Sequence, residues 1–266
     1  MTTGENRFVV VCPMFNASGT LPTLLHSLCG QSYPNWRLIL IDDVSNEDEY
    51  ELERQTVTQF QCMLGGRYSK QIEVHSNNVK QWEVANVLKG ISMCEPDDII
   101  CRIDADDWVT ELDGLMILNA AYNQFECDCL WTMHRWGFSD KNISGPMVPL
   151  ADPYKHPWVS SHLKTFRKHL LNGVPYENFT NMNGDLVQRA GDQSLYLPVL
   201  YNAKKRVFLP RVFYHYSINE QGGKVYQTDD AKFQKAEADF LRRRGYVPQG
   251  KTWEEGLQTP PHKVPT

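Results

Sequence analysis

The chain has 266 residues, 41% of them hydrophobic and 22% charged, and a net charge of −5. That length supports one large domain with a substantial core. The mildly acidic total gives no global sign of a nucleic-acid or anionic-membrane partner, and no apolar run approaches the ~20 residues that span a bilayer.

The first seven residues are polar and lack a signal-peptide core. Seven cysteines show no paired metal spacing. Reduced thiols in a cytoplasmic protein are the expectation, a host's cytoplasm if the chain is viral.

Phe8–Cys12 is a continuous apolar run suited to a buried parallel strand. Leu21, Leu24, Leu25 and Leu28 follow at helical spacing, with Pro22 in the first turn. Arg37–Ile41 predicts a second strand, ending in Asp42-Asp43, and Glu47–Phe60 a polar surface helix. Gln71–His75 predicts a short strand, and Trp82–Cys94 a helix with Val84, Val87, Leu88 and Ile91 on one face. Ile99–Ile103 predicts the strand that delivers Asp104, Asp106 and Asp107. Leu112–Phe125 predicts a further helix and Cys129–Met133 a further strand.

This alternation predicts an α/β fold: a doubly wound, mostly parallel central sheet flanked by helices. Ligands of such sheets sit beyond the carboxyl ends of the strands, where Pro13–Asn16, Asp42-Asp43 and Asp104–Asp107 converge. Carboxylates this close repel unless a cation neutralises them. The Asp-x-Asp-Asp cluster therefore points to Mn²⁺ or Mg²⁺ carrying a diphosphate; a solvated acidic turn is the structural alternative.

The second half is less regular. Residues 137–157 predict a long loop, Leu163–Leu171 a basic helix, and Asp192–Tyr201 a helix that Pro198 should kink or end. Arg206–Leu209 and Val212–Tyr216 predict short strands, Lys232–Arg244 a charged helix, and 249–266 a Pro-rich surface tail. The expected divisions are 1–135, a ligand-binding α/β half, 136–248, a less regular half of the same domain, and 249–266, the tail.

Three ordered windows resemble the family-2 glycosyltransferases of GT-A fold. They are Val9–Asn16, the stretch from His26-Ser27-Leu28 through Gln31-Ser32-Tyr33 and Trp36–Ile41 to Asp42-Asp43-x-Ser45, and Ile100–Trp108. Beyond about residue 135 the best match is Arg189-x-Gly191-Asp192.

The resemblance implies a metal-dependent, inverting transferase that moves a sugar from a UDP-sugar to an acceptor hydroxyl. It implies nucleotide-sugar binding for 1–135, and the acceptor and catalytic base for 136–248. By similarity, Asp43 accepts the uracil N3–H, Pro13, Phe15 and Asn16 border the base, and Asn86, Asp104 and Asp106 contact the nucleotide sugar. Asp106 and Asp107 hold the metal, with His215 as a further candidate ligand. Asp192 is the expected general base, and an N-cap is its structural alternative. Relatives often carry Glu-Asp where this chain has Gly191-Asp192, and Ala-Arg-Asn where it has Val84-Ala85-Asn86.

The acceptor is open: a glycan, a lipid-linked glycan, or a hydroxymethylated base in DNA. Trp136, His162, Lys164 and Arg167 are candidate acceptor-side residues. The locally basic stretch His162–His169, with Lys204-Lys205-Arg206 and Arg242-Arg243-Arg244, would make a phosphate-tracking face if aligned; unrelated solvated charges are the alternative. Competing classes are an inactive nucleotide-sugar or carbohydrate-binding module and a sugar-1-phosphate nucleotidyltransferase. The loop Pro13–Gly19 has no basic residue, which disfavours the latter.

Overall fold

In the computed structural model, an eight-stranded sheet has the order β3-β2-β1-β4-β7-β6-β8-β5. The structure describes residues 4–137, 139, 142–217 and 229–258. The strands are β1 (Phe8–Met14), β2 (Trp36–Asp42), β3 (Ile72–Ser76), β4 (Ile99–Arg102), β5 (Trp108–Val109), β6 (Cys129–Trp136), β7 (Lys164–Arg167) and β8 (Arg206–Tyr216). The helices are α1 (Leu21–Cys29), α2 (Glu47–Gly66), α3 (Trp82–Ser92), α4 (Gly114–Phe125), α5 (Gly191–Asn202), α6 (Asp229–Arg244) and α7 (Trp253–Gln258).

β3, β2, β1 and β4 run parallel. β7 lies antiparallel between β4 and β6, β8 runs parallel to β6, and β5 closes the edge antiparallel to β8. The doubly wound α/β expectation holds for this mostly parallel sheet and its flanking helices.

Strand alternation divides the core. Phe8, Val10 and Cys12 face a cluster shared with α1 and α4, while Val9 and Val11 face one shared with α3 and α5. Burial on both faces explains why these strands read as unbroken apolar runs. α3 lies so close to β1 that a Cβ on Gly90 would stand 2.4 Å from Val11 Cγ1.

Four local expectations change. Leu163–Leu171 is strand β7 followed by a 3-10 turn over Lys168–Leu171, not a basic helix. Pairing with both β4 and β6 overrides the local pattern. α5 continues through Pro198, because its apolar residues Leu195, Leu197, Val199 and Leu200 are buried and their packing offsets the lost hydrogen bond. The two short strands near the C-terminus are one, β8, passing through exposed Pro210.

The fourth change concerns the tail. Within it, α7 buries Trp253 completely, and the indole N–H donates to the Leu171 carbonyl at 2.8 Å. Residues 259–266 of the expected tail, with its prolines, lie outside the described residues. Among the described residues no helix is long and apolar enough to cross a membrane. All seven cysteines are free, Cys127 and Cys129 being buried.

Candidate active site

The parallel strands end at one edge. Met14 pairs with Asp42, Asp42 with Ser76, and Val11 with Arg102, which brings the loops after β1, β2, β3 and β4 together.

Asp43 is buried there and accepts hydrogen bonds from Gln81 N–H at 2.7 Å, Trp82 N–H at 2.9 Å and Asn77 Nδ2 at 3.0 Å. Burial favours its neutral form, but these three donors outweigh it and hold the carboxyl below its usual value. Three donors leave one of a carboxylate's roughly four acceptor positions open. Asn86 is itself buried: its oxygen accepts from Asn77 at 2.6 Å and its amide nitrogen has no partner. Lys89 donates to Asn77 at 2.7 Å.

Pro13, Phe15 and Asn16 border this corner. Asn16 ties the loops: its N–H donates to Ser45 Oγ, and its side-chain oxygen accepts Asn46 N–H at 2.9 Å. Phe15 is 46% exposed, and the Lys80 ammonium lies 3.1 Å from its ring centroid. Trp82 stands between Lys80 and Arg189, at 5.3 and 4.7 Å. Aromatic faces therefore hold two cations, Lys80 over Phe15 and Arg189 over Trp82.

The turn after β4 splits its carboxylates. Asp106 is exposed. Asp107 is 2% exposed, and accepts the Tyr214 hydroxyl at 2.6 Å and the Ser217 N–H at 2.7 Å. Burial, together with the negative charges of Asp104 and Asp106, pushes the Asp107 carboxyl up to about 8.

Arg102 is the hub. Its guanidinium meets Asp104 at 2.5 Å, Glu83 at 2.6 Å and Asp192 at 2.9 Å. Lys164, 2% exposed, also ion-pairs with Asp192. His162 Nε2 lies 3.5 Å from the other Asp192 oxygen, and its ring stacks on Tyr214 at 4.6 Å. Burial lowers His162 to about 4, so it is neutral at pH 7. Three carboxylates thus face the guanidinium of Arg102 and the ammonium of Lys164. Burial, with Asp104 and Asp192 adding to it against Arg102, raises Glu83 to about 7.

Asp192 is in the first turn of α5 and keeps 36% of its side chain exposed, so a ligand can reach it. Burial alone would raise its pKa; Lys164, His162 and Arg102 hold it well below the carboxylate range. The start of α5 is fixed by Glu237 on α6, whose carboxylate accepts the N–H groups of Gln188, Arg189 and Ala190.

The remaining candidates sit differently. His215 stacks on Trp108 at 3.9 Å, and strand alternation sets it opposite Tyr214 and so away from Asp107. Trp136 packs edge-on to Tyr216 at 6.1 Å. Arg167 pairs in register with Ile99, at the far end of β4 from Arg102, and covers the Tyr122 ring.

Several members of the basic groups are turned to internal partners. His162 and Lys164 are buried, Arg206 donates to the Ala151 carbonyl, and Arg242 and Arg244 donate to the carbonyls of His156, Thr180 and Asn178. Glu83, Arg102 and Tyr214 are the members that sequence reading passed over. The one available signal was Arg102, a charge closing an otherwise apolar strand.

The donor set fits a hard divalent cation. Asp106 offers an exposed carboxylate, and the crowding that raises Asp107 shows local excess negative charge. Among the described residues no three His, Cys, Asp or Glu side chains form a cation cage. A cation here would take one or two carboxylates and complete its shell with ligand oxygens, the usual habit of Mg²⁺ at phosphates.

Together the sheet and its strand-end carboxylates define a GT-A-type α/β protein. TarS of S. aureus superposes with a TM-score of 0.61 at 17% identity, over 90% of this chain and 43% of that one. Its 1–349 fragment in complex with UDP-GlcNAc gives 0.60 at 17%, over 89% and 72%. The mannosyltransferase PcManGT from Pyrobaculum calidifontis, in complex with GDP-Man and Mn²⁺, gives 0.63 at 12%, over 96% and 68%.

The chain belongs to glycosyl transferase family 2, whose model matches residues 9–169. The glycosyltransferase homologue EpsE of Bacillus subtilis (strain 168) is 30% identical over 98 residues, which is 37% of this chain and 32% of EpsE. The chain thus spans about a third of that relative.

Proposed function

We propose that this protein transfers a sugar from a UDP-sugar to an acceptor hydroxyl with inversion at the anomeric carbon. The observation that carries this reading is that one guanidinium, Arg102, holds Asp104 at 2.5 Å and Asp192 at 2.9 Å. It joins a carboxylate on the donor side to an accessible carboxylate on another element.

Asp43 takes the uracil edge, and Phe15 offers its ring to the base once Lys80 moves aside. Pro13 and Asn16 shape the corner, and Asn86 supports it through Asn77. A Mn²⁺ or Mg²⁺ ion on Asp106, with Asp107 next to it, would neutralise charge growing on the leaving phosphate. Lys80 and Arg189, held over aromatic faces, are placed to add positive charge beside it.

Asp192 accepts the acceptor proton. Its lowered pKa suits this role when the proton leaves late, since the attacking oxygen becomes strongly acidic as its bond to carbon forms. Lys164 and Arg102 keep Asp192 ionised and fix its direction. Trp136 packs on Tyr216, which in turn meets His162, and would serve the acceptor from there. A glycan or lipid-linked glycan is favoured over DNA, because two of the basic candidates, His162 and Lys164, are buried and not offered to phosphates.

The test is UDP release from a panel of UDP-sugars by wild-type protein and Asp192→Asn. The reading predicts release by the wild type, lost in the variant with UDP affinity kept. UDP binding with no release from any donor, at any acceptor offered, would favour a binding module.

A further inference from the structure

Gly191 and Glu83 compete for one volume. A Cβ on Gly191 would stand 2.3 Å from the Glu83 carboxyl carbon, and 2.3 and 2.4 Å from its two oxygens. Real Cβ contacts do not come that close, so any side chain at 191 must displace the Glu83 carboxylate. The carboxylate cannot simply swing away, because it is ion-paired to Arg102 at 2.6 Å, and that guanidinium also holds Asp192. Glu83 reaches this point from the first turn of α3, and Gly191 begins α5.

We infer that Glu83 is a positioning residue for Asp192: its carboxylate occupies the space of a side chain at 191 and fixes Arg102, which orients Asp192. The inference rests on Asp192 being the base. Among the described residues the Arg102 guanidinium has three carboxylate partners, and its buried Nε has none. Without Glu83, the guanidinium shares itself between Asp104 and Asp192 alone and turns towards them. The base would then be misdirected while the base-recognition corner at Asp43 stays intact. Because only space demands glycine at 191, the carboxylate can in principle be supplied from either chain position. A glutamate at 191 and none at 83 would place it in nearly the same volume from the opposite side.

The experiment is a four-protein cycle of wild type, Glu83→Ala, Gly191→Glu and the double variant. UDP release is measured from UDP-GlcNAc, UDP-glucose and UDP-galactose with Mn²⁺, alongside UDP titration and thermal melting. Glu83→Ala should lower kcat by about tenfold or more while donor KM and UDP affinity change by no more than about twofold. Gly191→Glu alone should lose activity and melt lower, since two carboxylates then contend for one guanidinium. The double variant should recover to within about threefold of wild-type kcat and melt above Gly191→Glu.

Glu83→Gln, which keeps the shape, covers the case in which Glu83→Ala fails to fold; it should show the same loss in kcat with KM kept. Full kcat in Glu83→Ala or Glu83→Gln, or a double variant no better than Gly191→Glu, overturns the inference and leaves the transferase reading standing. Absence of UDP release by the wild type from every donor overturns the transferase reading, and the inference with it.

Discussion

Tyr214 donates its hydroxyl hydrogen to Asp107 at 2.6 Å, from a strand distant in sequence, while its oxygen accepts Asp104 N–H at 3.3 Å. One phenol thus clamps both ends of the carboxylate turn and turns Asp107 inward, leaving Asp106 towards solvent. Replacing Tyr214 by Phe removes the donor and leaves Asp107 buried with only the Ser217 N–H. A loss of about 1–3 kcal/mol is expected in urea denaturation, the penalty of an under-satisfied buried group. Unchanged stability would mean that the clamp is not formed in solution.

Asp107 also gives the protein a pH dependence. Its folded pKa is raised to about 8. Between the unfolded value near 4 and that point, the folded state holds a proton that the unfolded state has lost, so stability falls as pH rises through this window. His162, lowered to about 4, acts with the opposite sign as pH rises towards the unfolded histidine value. Comparison with Asp107→Asn cancels that second contribution. Going from about pH 5 to about pH 8, the melting temperature of wild type should fall relative to that of the variant. Parallel curves would contradict the buried, proton-holding state of Asp107.

Phe15 presents an exposed ring with the Lys80 ammonium over it. If a base stacks there, Phe15→Ala should weaken UDP binding by about 1–3 kcal/mol, the usual worth of a base on an aromatic face. Calorimetry reads this directly, and the melting temperature should barely move, because the ring is not in the core. Equal UDP affinity in the variant would take Phe15 out of the site.

Trp253 tests how far the folded unit extends. It is fully buried, and its indole N–H bonds to the Leu171 carbonyl. Trp253→Ala should cost about 3–5 kcal/mol, as for other large aromatics removed from cores. A change below ~1 kcal/mol would return residues 249–258 to the status of a dispensable tail.

The parallel half of the sheet was legible because β1, β2 and β4 are buried on both faces and so appear as unbroken apolar runs. The acidic strand ends were legible for the same reason: topology delivers them to one edge. β7 was not legible. His162, Lys164, Arg167 and Lys168 look like a solvated basic helix, and the carboxylate that neutralises Lys164 belongs to Asp192, far along the chain. Trp253 was hidden by its setting among glycine, lysine and glutamates. The pairing of Glu83 with Gly191 leaves no local trace at all, since it is an exchange of volume between two helix starts. Tyr214 was visible only as one aromatic among several in β8, and its neighbour His215 drew the attention that Tyr214 merited.

The most direct test of the nucleotide-sugar site is a calorimetric titration of UDP into the purified protein with Mn²⁺ and then with EDTA, repeated with Asp43→Ala and Asp106→Ala. The account predicts binding that depends on Mn²⁺, weakened in both variants. Absence of binding under either condition, or binding indifferent to both variants, would contradict a UDP site built on Asp43 and the carboxylates after β4.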